Sequence, residues 1–564
     1  MREKTKVAIQ PDIRQTTQPV QLQEPRWKRW MRYFYTDDVS PDNYPLVDLQ
    51  RRAGWFCLAF IAQALNEIDR SLYVGYIPLL KTWSALIPFV LILVSFYGMW
   101  MAFRPTSLKR KVERSQKKDP SRLQRVILVC ALLTAIAGSI EFGRSVVMSF
   151  FLPPQYTNDG TSLDTNAAVL LLEGRNPYSD SNILSVVRRY PILPNWTTPL
   201  RVGQFANERL YPSASEMRSV LDTDLKAGSA PEFESKVSYP ALAFLTLLPF
   251  AWLNFQNVLS FYLFSYLLLV YIGWKVARPE LRPWVLLLSL TNVSMWTSVV
   301  GGNLDIFYTL LIVLAWLMRD SRSWSAIFLG LALASKQIAW FYIPFYAILI
   351  MRQYSFKEAV QRLSVAGLVA LAINLPFILW NPHAWLAGVL APVADPMFPM
   401  GVGLISFSAT PLQLTLPSFV YTGLELLTLL ACLAWYWHIC QKRPEAVMLL
   451  AVLPLFFAWR SLPSYFYCSA FPMFILMSSS LNVKSRQQSH KMLSRLGRLL
   501  FGPNGETEGE LSPGMGAWAM SRVPQLLPAP AQSSRRFDGK RNTSLAARDY
   551  LPELRSFASS PLLE

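Results

Sequence analysis

The chain has 564 residues, 52% of them hydrophobic, and a formal net charge of +18. The basic excess sits mainly in the tails and in alternate loops between apolar runs, a positive-inside membrane pattern that excludes nucleic acid as its cause. Cys57, Cys130, Cys432, Cys440 and Cys468 lie in or beside apolar segments without CxxC spacing, which excludes a disulfide framework and a zinc site.

Residues 1–52 read as a polar, partly disordered cytoplasmic arm ending in Arg51-Arg52, with no apolar core of a cleavable signal peptide. Residues 53–125 follow as a hydrophobic pair and a basic loop. The first segment, 53–80, is interrupted by Glu67, Asp69 and Arg70; the second, 83–103, is cleaner. From Arg104 to Arg125 there are nine Lys or Arg and two acids, which holds this loop in the cytoplasm. The span 126–152 then runs outward, and 153–238 becomes a large extracytoplasmic loop.

Later apolar segments are expected at 239–253, 257–274, 284–300, 305–318, 324–335, 338–351, 363–381, 413–438, 446–460 and 464–480. Basic groups at Lys275/Arg278/Arg282, Arg319/Arg322, Arg352/Lys357/Arg362 and Lys442/Arg443 mark inner ends. Gly301-Gly302-Asn303, Lys336, the loop 382–410 and Arg460 are thereby placed outside. Residues 239–253 break the parity: either they form a short re-entrant element or the charge rule fails once. The chain is therefore an all-α, polytopic membrane protein with 12 or 13 hydrophobic segments and both termini cytoplasmic. Residues 483–564 are polar and, in part, rich in Pro and Ser, and are expected to be a disordered cytoplasmic tail. No internal repeat is evident, which weakens a transporter built on inverted repeats.

The external loop carries the strongest local signal. Residues 164–173 read as a short interfacial helix with Asp164 at the N-cap, Gly174 as its stop and Pro177 beyond; Ala168, Leu171 and Leu172 share one face. Asp159, just past the outward span, lies in a turn-forming Asn-Asp-Gly. A carboxylate at the outer surface of the membrane suits chemistry on a lipid-linked substrate. Asp159 is the first candidate for it and Asp164 the alternative, since a cap already explains Asp164.

Asp159, Ala167-Ala168, Leu171-Leu172, Gly174 and Asn176-Pro177-Tyr178 resemble the first-loop pattern of GT-C membrane glycosyltransferases. The nearest likeness is to glycosyltransferase family 87, the polyprenol-phosphate-mannose-dependent mannosyltransferases. Ser238-Tyr239-Pro240, Gly301-Gly302-Asn303, Ser335-Lys336-Gln337, Asn374-Leu375-Pro376-Phe377 and Ser464-Tyr465 continue it, so that residues 126–480 form the GT-C-like catalytic core. Gly160-Thr161-Ser162 stands where the family carries an aromatic-rich stretch.

The resemblance implies an inverting transfer of a hexose, mannose in this family, from a polyprenyl-phosphate sugar to a hydroxyl of a lipid or glycan acceptor at the outer face of the plasma membrane. It implies no cofactor and no metal. An Asp general base deprotonates the acceptor. Lys336 is the candidate to meet the donor phosphate, against a reading as a snorkelling lysine. Arg144 could reach the same site or simply pair with Glu141 at i,i+3. Tyr239, Asn303, Gln337 and Tyr465 are candidate substrate contacts, against roles in tying spans together; His383 is an ordinary loop residue. The alternative function is a transporter or flippase of lipid-linked saccharides. The long external loop favours an enzyme.

Overall fold

A computed structural model describes residues 46–72, 86–104 and 122–480, apart from 155, 157, 191, 194–195, 209–210, 256, 410–413 and 415. Most of the expected arm 1–52, most of the basic loop and the tail 483–564 lie outside the described residues. The described residues are mostly helical. Five of their helices are long and apolar enough to cross a membrane, or six if one bent pair is a single span.

In chain order, α1 (Leu46–Leu72) packs beside α2 (Leu86–Phe103), and α3 (Arg122–Phe150) leads to the long loop 153–238. That loop holds α4 (Asp159–Leu172), α5 (Pro177–Asp180), α6 (Ile183–Arg189) and α7 (Ala214–Ala227). Two short helices follow, α8 (Leu242–Leu245) and α9 (Leu248–Trp252), then α10 (Leu259–Val276). Next come α11 (Arg282–Thr291), α12 (Val293–Gly301), α13 (Asp305–Leu317), α14 (Arg322–Leu333), α15 (Tyr342–Gln353) and α16 (Phe356–Trp380). The chain closes with α17 (Pro382–Ala394), α18 (Leu404–Ala409), α19 (Ser418–Ile439), α20 (Val447–Leu450) and α21 (Ser464–Ser480). A two-residue parallel pair joins β1 (Met400–Gly401) to β2 (Arg460–Ser461).

Several expectations need correction. The arm does not persist to residue 52, because α1 begins at Leu46. Arg52 is buried there. Its guanidinium pairs with Asp48 one turn back at 3.0 Å and donates to the Ala102 carbonyl at the end of α2, where the helix dipole favours a cation. Residues 239–253 hold two short helices in place of one continuous segment, too few residues to cross about 30 Å at about 1.5 Å each. The stretch 284–300 is no single rod: it bends by 53° between α11 and α12, across Asn292. The loop 382–410 contains two helices, α17 and α18.

The main core joins apolar faces of α1 and α2 to α10–α15 and α21, with Trp296, Trp316 and Tyr266 fully enclosed. A second cluster lies within the loop 153–238, where Leu163, Leu184, Met217 and Phe233 meet Phe398 from beyond α17. A third, around Ala167, Tyr178, Phe244 and Phe377, ties α4 and α5 to α8 and α16. Gripped on both sides, α4 is a fixed platform.

Candidate active site

Helix α4 begins five residues earlier than the sequence pattern suggests. Asn158 is the N-cap, its side-chain oxygen accepting from the Thr161 N–H at 2.9 Å. The same side chain donates to the Gly302 carbonyl at 2.7 Å, and the Thr161 hydroxyl donates to that carbonyl at 2.9 Å. Gly302 holds φ +68°, and a Cβ there would come within 3.0 Å of both Leu259 and Thr161. Glycine at this position thus lets the α12–α13 turn dock on the start of α4. Asp164 is consequently an interior residue of the helix, not its cap.

The face of α4 that carries Ala168 is covered by protein. Residues 160–168 are all buried, and the hydroxyls of Thr161, Ser162 and Thr165 donate to backbone carbonyls. Thr165 donates to the Thr161 carbonyl at 2.7 Å, and Arg189 donates to Asn166 at 3.0 Å.

The N-terminus of α4 opens into a cavity of about 1120 Å³. Asp159, Tyr239, Asn303, Lys336, Gln337 and Tyr465 all line it. Asp164 and Arg144 do not. Arg144 is half exposed on α3 and pairs with Glu141 at 3.5 Å; Asp164 is 1% exposed, deeper in α4.

One wall of the cavity is made of loops. Asp159 accepts the Thr198 N–H on Oδ2 at 2.8 Å, and the Thr198 side chain also hydrogen-bonds its carboxyl. Burial raises its carboxyl above the ordinary range, while the Thr198 hydrogen bond and the nearby Arg460 charge pull it back down. Arg460, on β2, donates to the sulfurs of Met397 and Met400. Among the described residues no carboxylate lies within ion-pairing distance of it. Thioether sulfur is a weak acceptor, so this guanidinium keeps most of its capacity to bind an anion.

Segments 196–201, 232–238 and 395–401 hold this wall together. Leu200 N–H donates to the Glu232 carbonyl at 2.8 Å, Glu234 N–H to the Thr198 carbonyl at 2.9 Å, and Arg201 N–H to the Pro396 carbonyl at 2.7 Å. Lys236 Nζ lies 2.6 Å from both oxygens of Asp395. Burial first, and Asp395 beside it, push the Glu234 carboxyl up to about 8.

The helical wall differs. Lys336 Nζ lies 2.5 Å from Asp305, the first residue of α13, and 5.0 Å from the centre of the Tyr239 ring. Both members of this ion pair are buried. Behind it, neither oxygen of Asp164 accepts a hydrogen bond; burial drives its carboxyl well above the ordinary value, opposed by the Lys336 charge. The other predicted residues are partly engaged within the protein. Asn303 donates to the Tyr467 hydroxyl at 2.9 Å and accepts from the Asp305 N–H at 2.9 Å, and Gln337 donates to the carbonyls of Ser238 and Val389.

Arg460, Glu234, Asp395 and Glu425 line the cavity without having been singled out as first candidates by sequence. Glu425 lies on α19, a candidate membrane span, and intramembrane carboxyls tend to be functional. Its position between Leu424 and Leu426 in an apolar run was the available signal.

Residues 238–462 match the family model described as glycosyltransferase family 87. The match takes in Tyr239, Asn303, Lys336, Gln337, Glu425 and Arg460; Asp159 and Tyr465 fall outside it. No curated protein and no solved structure matches the chain.

Proposed function

We propose that this chain, a membrane glycosyltransferase with a family 87 segment, moves a hexose from a polyprenyl-phosphate donor to a hydroxyl of a lipid or glycan acceptor at the extracytoplasmic face of the plasma membrane. Mannose is the sugar suggested by the family-87 resemblance. The supporting observation is that Asp159 shares a cavity with Arg460, which among the described residues has no carboxylate within ion-pairing distance.

In the proposed step the acceptor oxygen attacks the anomeric carbon from the side opposite the phosphate. Its proton passes to the Asp159 carboxylate. The bond from the anomeric carbon to the phosphate oxygen breaks, and polyprenyl phosphate departs with the electron pair. One displacement inverts the anomeric centre. General-base assistance of this kind is worth about 10²- to 10⁴-fold. Arg460 is the first choice to receive the growing phosphate charge, because the charge of Lys336 is already opposed by Asp305. Tyr239, Asn303, Gln337 and Tyr465 line the same cavity, which supports reading them as contacts for substrate hydroxyls.

The test is incubation of the purified protein in detergent with a panel of polyprenyl-phosphate monosaccharides, reading release of polyprenyl phosphate. Release with at least one donor, and product of inverted configuration, is expected. Detergent removes any meaning from vectorial transport, so no release from any donor would leave the flippase reading standing. Topology is checked separately in a cysteine-free background, where an impermeant thiol reagent on intact cells should label a cysteine at 181 and spare one at 115.

A further inference from the structure

Helix α19 carries a charged side chain that the proposed step leaves unused. Among its 22 residues Glu425 is the only Asp, Glu, Lys or Arg. Leu424, Leu426 and Leu427 flank it in the chain. A charge within a membrane helix is costly unless it turns inward and finds a partner. Glu425 turns inward: it is half-buried and lines the cavity shared by Asp159 and Arg460. It finds no partner there. Among the described residues nothing hydrogen-bonds its carboxylate and no cation pairs with it.

Helical spacing shows what accompanies it. Ser418, Tyr421, Thr422 and Glu425 stand at i, i+3, i+4 and i+7, one face of α19, and all four line the cavity. No α19 residue beyond Glu425 does so. A polar stripe of two turns, about 10 Å long, thus ends on the carboxylate. The Tyr421 hydroxyl is committed to Ser408 of α18 at 2.7 Å, and the Thr422 hydroxyl donates to the Ser418 carbonyl at 3.1 Å. With that proton spent, the Thr422 oxygen offers lone pairs, and an ionised carboxylate offers nothing else. The stripe therefore presents acceptors, and its complement is a group rich in O–H donors. A phosphate, anionic and all acceptor, is repelled from it. An ammonium would use the carboxylate alone and leave the hydroxyl part of the stripe without a role.

We propose that Glu425 is a specificity-determining residue whose carboxylate accepts hydrogen bonds from a pair of adjacent hydroxyls on a sugar ring in the cavity. The inference rests on the glycosyl-transfer reading above. Two rings could bring that pair, the hexose of the donor and a saccharide acceptor. The two oxygens of one carboxylate match two neighbouring hydroxyls, and hydrogen bonds to an ionised group are the stronger kind. Asp159 and Arg460 serve the reacting atoms, while Glu425 decides which ring is admitted beside them.

The test uses the full chain purified in detergent, with polyprenyl-phosphate mannose as donor and octyl α-mannoside as acceptor probe, each also supplied as its monodeoxy analogues. Release of polyprenyl phosphate is the readout. In wild type, one or two adjacent deoxy positions in one of the two substrates should lower kcat/KM by about ten- to a hundredfold. Glu425→Ala should lose a similar factor on the parent substrates and nothing further at those positions, because the hydroxyls have already lost their partner. Glu425→Gln, which keeps the shape and one acceptor oxygen, should fall between the two. Sensitive positions on the donor assign the ring to the transferred hexose; sensitive positions on the octyl mannoside assign it to the acceptor. No sensitive position in either substrate, losses that multiply in Glu425→Ala, or wild-type kinetics in that variant overturn the inference. A wild-type preference for an amino-sugar analogue that Glu425→Ala abolishes also overturns it and gives the carboxylate to an ammonium. If no donor turns over, the donor reading falls, and calorimetric binding of octyl α-mannoside and its deoxy analogues to wild type and Glu425→Ala judges Glu425 by the same cycle.

Discussion

The two walls of the cavity carry similar charges and treat them oppositely. On the wall built from the loops and the first residue of α4, Asp159 accepts from Thr198, and the side-chain hydrogen bonds of Arg460 among the described residues go to thioethers. On the helical wall, Lys336 and Asp305 neutralise each other, and Asp164 is sealed behind them without a hydrogen bond. A charge already matched inside the protein has little left for a substrate, whereas a charge held by weak partners is available when phosphate or hydroxyl arrives. Reactivity in this cavity is therefore expected at Asp159 and Arg460, and rigidity at Lys336 and Asp305.

The comparison breaks most directly at the two aspartates of α4. Asp159→Asn removes the proposed base and should lower turnover by about 10²- to 10⁴-fold while donor binding is kept. Asp164→Asn should leave turnover close to wild type, because burial without a hydrogen bond already favours the neutral carboxyl. Steady-state release of polyprenyl phosphate by both variants decides it: a dead Asp164→Asn beside an active Asp159→Asn would transfer the catalytic role to the deeper residue.

On the helical wall the expected loss is one of stability. Asp305→Asn leaves Lys336 buried without its partner, a change worth about 3–5 kcal/mol in buried pairs. Replacing both, as Asp305→Asn with Lys336→Gln, should recover part of that, and thermal unfolding in detergent measures the difference. Equal stability of the single and double variants would show that the pair is not the anchor described here. Arg460→Gln should act differently, raising the donor concentration needed or lowering the rate by the equivalent of about 1.5–3 kcal/mol, with unfolding little changed. Lys336→Gln matching Arg460→Gln in donor affinity, at unchanged stability, would return the phosphate to Lys336.

How far the sequence reveals this arrangement depends on how local each feature is. Helices α2, α3, α10, α16 and α19 are legible from run length and composition alone. The broken elements are less so: the chain bends at Asn292 inside an apolar run, and Pro249 opens α9 as the one local signal of the breaks flanking α8 and α9. Six predicted site residues converge because short motifs place them at helix starts: Asn303 caps the turn into α13, and Lys336 ends the run after α14. The start of α4 was misplaced because Asn158 and Asp164 are both competent caps by type. The choice falls to Asn158 because it also reaches the Gly302 carbonyl, a contact 144 residues distant. Arg460, Glu234 and Asp395 are single charges in three separate segments, and only the fold makes them neighbours.

The smallest expected effect sharpens the loop wall itself. Glu234 is buried against Asp395, whose two oxygens are already taken by Lys236. With its carboxyl pushed up to about 8, Glu234 keeps a proton at neutral pH and can face Asp395 without repulsion. A raised native carboxyl pKa means that the folded wall binds this proton more tightly than the unfolded chain does. Its contribution is then fully present below the ordinary carboxyl value and is lost as pH rises through about 8. Above that pH two carboxylates share one lysine, and the contacts of 196–201 with 232–238 and 395–401 should loosen. Hydrogen exchange reads this directly at the Arg201 and Glu234 amides, which donate across the wall. After correction for the intrinsic pH dependence, their protection should fall a few-fold between about pH 6 and pH 9 in wild type. Glu234→Gln, which cannot ionise, should hold its protection constant over the same interval. If wild type shows the same flat profile as the variant, the loop wall is not titrated by Glu234, and its hold on Asp159 through Thr198 owes nothing to that proton.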